Sequence, residues 1–396
     1  MIYSNPAQPT GNASPGAAIA MESYLTAHIS TSAIEHNIRL LRACLPPATK
    51  LCAVVKADCY GHGLTSLLGL LSRHADWLAV TNPEEALALR GLGYERPLLM
   101  FFSACANVEG NQLRDTLAEL IAQNVTLTIV SPAEVVAVAQ VAREVGSVAD
   151  VHVKVDSGMG RSGVLPEAAP GLLAKARGEP AIAVTGMYTH FATADETNKS
   201  YARGQLETFL AAVDACGGHS GLCLHAANSA ATIDLPQAHL DMVRPGIAIY
   251  GYPPSDEMVR KLPLKPALRL TGRLMQLKTL PAGHKCGYGL TYTVPADTLV
   301  GLVPVGYADG YLRCLSNRGT MRIRGHDVHI RGRVAMDQVI IDLTDVPDAA
   351  IGDEVEIISN DPASPHSAEN LARLCGTITY EIITRLGNRA RRVLED

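Results

Sequence analysis

One alternation constrains this chain more than any other feature of its sequence. Short β-branched or apolar runs recur at residues 51–55, 77–81, 98–102, 126–130, 151–155, 183–188, 222–225 and 241–243. Longer stretches of helical periodicity separate them, some opened by start signals such as Pro83-Glu84-Glu85 and Ser131-Pro132-Ala133-Glu134. A helix is also expected over 32–44, with Ile34, Ile38, Leu40 and Leu41 on one side. Eight strands spaced by helices fit an α/β fold, a (β/α)8 barrel of the TIM type, better than an open doubly wound sheet. No GxGxxG or GxxxxGK[ST] follows any of the runs, which weakens dinucleotide and nucleoside-triphosphate readings.

After residue 262 the pattern changes. Strand-like runs at 268–274, 299–305, 321–323, 339–343 and 355–358 are separated by turns, among them Gly325-His326-Asp327, and one helix remains at 367–375. The chain therefore divides into a flexible extension (1–22), a barrel (23–262) and a mostly β C-terminal domain (263–396). The extension is rich in Pro, Gly, Ala, Ser and Asn and lacks the pattern of a signal peptide, and Met21 is read as a candidate alternative start.

Composition excludes more than it assigns. A formal net charge of -5 gives no general attraction to nucleic acid or to an anionic membrane, and no apolar run is long enough to span one. The basic run 318–333 alternates with apolar residues and reads as a hairpin with one solvated face. Nine cysteines, an odd number without CxxC spacing, point to reduced thiols in a cytoplasmic protein and to no metal site.

In a barrel, functional groups sit just after the strands. Lys56 ends the first run, with Tyr60 four residues on. Lys154 and Asp156-Ser157-Gly158-Met159-Gly160-Arg161 close the fifth, and Thr189-His190 follows the sixth. Asn228-Ser229 follow the seventh, and Arg244-Pro245-Gly246-Ile247 the eighth. Each has a plainer reading: Asn228-Ser229 as a helix N-cap, Gly246 as a tight turn, His190 as a core histidine, Gly158, Gly160 and Gly163 as a loop. Five clusters at the same end of one barrel favour an active site. Ser229, Gly246 and Ile247 suit a phosphate, Tyr60 adds a phenol, and a lysine at a rigid strand end suits a Schiff base. The combination points to pyridoxal 5'-phosphate as cofactor.

The stretches AVVKADCYGHG, KVDSGMGR, MYTHFATADE, HAANSAA, VRPGIAIYG, GYGLTY, VPVGYADGY and RGRVAMDQ, running from about residue 23 to the end, resemble the alanine racemases. The resemblance implies a pyridoxal-phosphate enzyme that interconverts L- and D-alanine for peptidoglycan, working as a homodimer. It makes Lys56 the Schiff-base lysine and one catalytic base, and Tyr288, delivered across the dimer interface, the other. His190 then assists Tyr288 and links to Arg244, which faces the pyridine nitrogen and is oriented by His225. Arg161 and the Met336 N–H hold the substrate carboxylate, with Asp337 beside them. Tyr380 contacts the phosphate with Tyr60, Asn228, Ser229, Gly246 and Ile247 nearby, and Tyr307 stands at the entrance. Lys154 occupies the place of a lysine often carbamylated in the family. Departures are the first strand without its usual acidic residue (Tyr24 to Ile29), Asn388 where proline is frequent, and Ala335 where cysteine is common. The last lies near the substrate and bears on selectivity. Rival readings are a serine or broad-specificity racemase, a non-catalytic cofactor carrier, which the second domain argues against, and a decarboxylase of the same fold, which Arg244 argues against.

Overall fold

The computed structural model describes residues 23–104, 111–219 and 221–396, without the side chains of 111–113; the expected extension 1–22 and Met21 lie outside them. Strand β1 (Leu25–Ser30) leads into helix Thr31–Arg42, whose start Ser30 caps by accepting from Ala33 N. That helix buries Ala33, Ile34, Asn37, Ile38 and Leu41, while Leu40 is only half-buried at its flank.

Eight parallel strands then form one sheet: β2 (Lys50–Val54), β3 (Trp77–Val80), β4 (Leu98–Ser103), β5 (Thr126–Ile129), β6 (Ala149–Lys154), β7 (Ile182–Tyr188), β8 (Cys223–His225) and β9 (Met242–Val243). The order runs β8-β7-β6-β5-β4-β3-β2-β9, so consecutive strands are neighbours and the sheet curls toward closure. The remaining seam, between β8 and β9, is bridged by Asp241 N–H to Leu224 O (3.0 Å) and Arg244 N–H to Ala227 O (2.8 Å). Helices alternate with the strands, as βαβ units require. Two starts show the expected chemistry: Asn82 caps Pro83–Gly91, and Ser131 with Glu134 forms a capping box for Pro132–Glu144.

Strand β6 shows what lies inside the barrel. Val151 and Val153 alternate with His152 and Lys154, and all four are buried. Alternation puts His152 and Lys154 on one face of the strand. In register, His152 pairs with Gly186 and Lys154 with Tyr188, while Gly186 and Tyr188 pair onward with Cys223 and His225. Two layers of positions in register result, a lower one at His152, Gly186 and Cys223, and an upper one at Lys154, Tyr188 and His225.

The second region is built on a six-stranded sheet and a three-stranded one. Strand β1 belongs here: it pairs antiparallel with Leu268–Arg273 and parallel with Arg391–Glu395. The stretch 25–30, assigned by chain order to the barrel region, therefore joins the C-terminal strand in the other sheet. The expected hairpin forms from Thr320–Ile323 and His326–His329, but its turn is Arg324-Gly325, not Gly325-His326-Asp327. Both turn residues have positive φ (50° and 81°), the geometry that matches the twist of paired strands. Helix Ala368–Cys375 is followed by Thr379–Thr384, a helix the sequence pattern does not announce. The expectation of reduced thiols throughout is corrected at one pair, Cys314 and Cys375, which form a disulfide across a sequence separation of 61. No local spacing signals a bridge between residues so far apart.

Candidate active site

A cavity of about 690 Å³ opens at the C-terminal ends of the barrel strands. Lys56, Tyr60, Lys154, Arg161, His190, Asn228, Ser229, Arg244, Gly246, Ile247 and Tyr380, each anticipated from sequence, all line it.

Lys56 and Tyr60 are brought to it by a backbone feature that sequence reading missed. Ala57, Asp58, Cys59 and Tyr60 all lie in the left-handed region, with φ of 51° to 55°, so the chain makes one left-handed helical turn after β2. Such a conformation costs roughly 1–2 kcal/mol for each L-residue with a Cβ. It is held by Glu85, whose carboxylate accepts from Ala57 N (2.7 Å) and Thr81 N (2.8 Å), and by Asp58, which accepts from Leu64 N (2.6 Å). Replacing exposed Ala57 by glycine is therefore expected to raise stability by about 0.5–1 kcal/mol, since glycine adopts positive φ freely. Denaturant unfolding measures it, and a loss of similar size would show that the turn is unstrained.

The turn aims Tyr60 at Gly246. A Cβ on Gly246 would stand 2.3 Å from Tyr60 Oη, so only glycine admits the phenol here. Next to it, buried Ser229 accepts from Gly246 N (2.8 Å) and Ala248 N (3.4 Å), at the start of helix Ser229–Asp234. Asn228 caps that helix through Ala231 N (3.0 Å), so it is both an N-cap and a wall of the cavity. Tyr380, from the unannounced helix, comes within 6.2 Å of the Tyr60 ring. Hydroxyls and helix-start amides at one end of a cavity form a ready anion site.

The same cavity carries the cations. Burial, helped by the Arg161 charge, lowers the Lys56 pKa, with Glu85 opposing. Lys154 is buried, and burial with Arg161 and Arg244 brings its pKa down to about 8. Asp156 organises the loop that presents Arg161: one oxygen accepts from Gly158, Met159 and Gly160 N–H, the other from Arg161 N–H. Burial raises that carboxyl's pKa, but the four N–H groups outweigh it and hold it below the usual range.

Arg244, 3% exposed, donates to His225 Nδ1 (2.7 Å), Thr189 O (2.8 Å) and Ala226 O (3.2 Å), and its guanidinium lies 5.2 Å from the Tyr188 ring centre. His190 Nδ1 lies 3.5 Å from Arg244 Nη2. Burial and the surrounding cations keep His190 well below the usual histidine range. His225 is stacked flat on Tyr188 behind the cavity wall. Tyr188, Phe101, Phe102 and Ser103 also line the cavity without having been anticipated. Tyr188 lay in plain view as the end of its strand, but nothing local marked it as inward-facing.

Tyr288, Tyr307, Met336 and Asp337 are not among the residues that line this cavity. Tyr288 is 73% exposed on the second region, with Leu290, Met336 and Tyr307 also exposed. The 307 and 336 loops are joined by Tyr307 N–H to Ala335 O and Ala308 N–H to Met336 O. Asp337 is paired with Arg389 at 2.6 Å. Among the described residues no group of side chains has the make-up of a metal site.

Two family profiles match the chain: "Alanine racemase, N-terminal domain" over residues 29–254 and "Alanine racemase, C-terminal domain" over 267–394. An alanine racemase of Desulfosudis oleivorans is 40% identical over 381 residues, covering 93% of this chain and 95% of that protein. Among solved structures, an alanine racemase of Clostridium difficile 630 superimposes with a TM-score of 0.88 at 32% identity, covering 95% of this chain and 96% of that one. An alanine racemase from a D-cycloserine-producing Streptomyces lavendulae gives 0.86 at 35% identity, covering 95% and 98%.

Proposed function

The chain belongs to the alanine racemase family and interconverts L- and D-alanine, and from that premise we propose how its own residues do so, with pyridoxal phosphate held in the barrel cavity. One observation carries the reading: a single cavity has Lys56, Arg244 and the Tyr60–Ser229–Gly246 corner on its walls. These are the contacts that an aldehyde, a pyridine nitrogen and a phosphate require. The closeness of Gly246 to Tyr60 Oη and the buried Ser229 hydroxyl support a phosphate fit at that corner. Pyridoxal phosphate supplies, when bound, an electron sink that makes the Cα–H of an attached amino acid acidic.

The protein's share is to hold the sink and to place acid and base groups on its two faces. The Tyr60, Ser229 and Tyr380 hydroxyls, with the Gly246 and Ile247 amides, would hold the phosphate, with Asn228 closing that side. Arg244 would hold the ring nitrogen. A guanidinium only donates, so it would leave a pyridine nitrogen as an acceptor and keep the electron sink moderate. Lys56 holds the cofactor and moves a proton at Cα on one face. Its lowered pKa leaves more of the amine neutral and able to accept that proton.

One lysine cannot serve both faces. Tyr288 of the partner subunit supplies the other, with His190 beside it. Two facts support delivery in trans: Tyr288 is highly exposed, and it is not part of its own chain's cavity wall. Met336 and Tyr307, exposed on the same region, arrive with it, so that Arg161 and the Met336 N–H hold the substrate carboxylate near Asp337. The working unit is then a homodimer.

Lys154, with a pKa near 8 because burial and the Arg161 and Arg244 charges outweigh Asp156, is set to take up CO2 as a carbamate that steadies Arg161. The intact protein is expected to show a mass gain of one CO2 that disappears on acidification, and a native mass without it rejects the modification. No helix among the described residues is long and apolar enough to cross a membrane. We place the reaction in the cytoplasm, feeding D-alanine to peptidoglycan.

The assay is direct. The purified protein with pyridoxal phosphate is given L-alanine or L-serine, and D-isomers are followed. D-alanine that depends on the cofactor, exceeding D-serine, supports the reading. Alanine turnover unaffected by cofactor removal would reject the cofactor assignment, and equal D-serine formation would move it to a broader racemase.

A further inference from the structure

Beneath the cavity lies a polar contact that the reaction described above does not use. His152 is fully buried in the lower layer of the barrel and is not part of the cavity wall. Its Nδ1 stands 2.9 Å from His225 Nε2, and His225 Nδ1 in turn receives Arg244 Nη1 at 2.7 Å.

The proton positions along this row follow from the arginine. A guanidinium has N–H donors and no acceptor. His225 Nδ1 facing it must therefore offer a lone pair, which puts the His225 proton on Nε2. That N–H points at His152 Nδ1, so His152 also accepts there and carries its own proton on Nε2. Burial, with the Arg244 charge adding, keeps both rings neutral: His152 falls to about 3 and His225 well below its usual value. Every bond in the row then runs in one direction.

The far end of the row has no hydrogen-bond partner. His152 Nε2 finds none among the described residues. A buried N–H left so lowers stability, a cost that an aliphatic side chain at this position would not carry. The barrel makes room for the ring all the same. Its register neighbour is Gly186, where a Cβ would lie 2.6 Å from Nε2, and Trp77 lies 5.6 Å away, ring to ring. An imidazole that lowers stability and touches no reacting atom has one useful contact, the lone pair it presents to His225.

We infer that His152 is a positioning residue for the reaction: by accepting from His225 Nε2–H it fixes the His225 tautomer, and so holds the Arg244 guanidinium in its place at the cavity wall. This rests on the reading that Arg244 faces the cofactor ring. Without the acceptor, the His225 Nε2–H is orphaned and the other tautomer competes, which turns an N–H toward the guanidinium. Arg244 must then shift.

Holoenzyme labelled with 15N-histidine tests this, with His225→Asn used to assign the His225 signals. In the wild type, His225 is expected to show a protonated Nε2 and a bare Nδ1. In His152→Leu that fixed tautomer should be lost while thermal stability holds or rises. The kcat for alanine should fall about 10- to 100-fold, as for other outer partners of a reactive centre, with KM changed far less. His152→Asn, whose amide oxygen can replace Nδ1 as acceptor, should restore both tautomer and kcat. An unchanged His225 tautomer in His152→Leu, or a kcat that falls only in step with stability, would overturn the inference. A tautomer change in a protein that racemises no alanine, wild type included, would leave the His152–His225 coupling standing and reject the functional reading instead.

Discussion

Two variants, Lys56→Ala and Tyr288→Phe, each nearly inactive alone, are expected to recover about a quarter of wild-type activity when mixed and allowed to exchange subunits. On the proposed roles each substitution alone removes one proton-transfer group and should cost on the order of 10²–10⁴ in rate, more for Lys56, the proposed anchor of the cofactor. In a symmetric dimer with Tyr288 supplied in trans, every mixed dimer has one site that pairs an intact Lys56 with an intact Tyr288. Half of the dimers are mixed after random exchange, and one of their two sites is whole. If Tyr288 serves its own chain, no site is ever whole and the mixture stays as inactive as its parts. The result thus decides between the two, and it bears on the whole exposed face that carries Tyr288, Leu290, Tyr307 and Met336.

Acidification is expected to destabilise the barrel well above the pH at which its carboxylates protonate. His62, His152 and His225 are fully buried, and burial is the leading cause that depresses all three: His62 to about 4, His152 to about 3, His225 well below normal. In the unfolded chain each takes its proton near pH 6.5, whereas in the folded chain each stays neutral far below that. The unfolded state therefore binds more protons through this window, so stability falls with falling pH. The contribution is complete above about pH 6.5 and is lost as the pH drops toward the folded-state values. Each histidine adds about 1.4 kcal/mol per pH unit in that range, so the three together should remove roughly 4 kcal/mol between pH 7.5 and 5.5. Denaturant unfolding at the two pH values measures it; a difference under about 1 kcal/mol would mean that these rings are charged or solvated in the fold. His62 makes the effect local to the site as well. Its Nδ1–H donates to Cys59 O and Tyr60 O, carbonyls of the left-handed turn.

The alternation of apolar runs determined much of this molecule by itself. Eight runs at helix-sized intervals leave little choice but a closed parallel sheet. Once strands are known, the residues that follow them are known to share one end, so Lys56, Tyr60, Arg161, His190, Ser229 and Arg244 could be placed together before any coordinates. What local sequence could not carry was anything set by contacts distant along the chain. The left-handed turn depends on Glu85 reaching back to Ala57, and the helix that delivers Tyr380 follows one that already ends in a glycine cap. The Cys314–Cys375 bridge and the pairing of β1 with the C-terminal strand join residues far apart in sequence. The contact of His225 with His152 is likewise a product of barrel register, which sets β6, β7 and β8 side by side at a fixed offset. Periodicity is a property of neighbours and survives in the sequence. Register, closure and the tautomer of a buried ring are properties of the packed whole, and only the tertiary structure decided them.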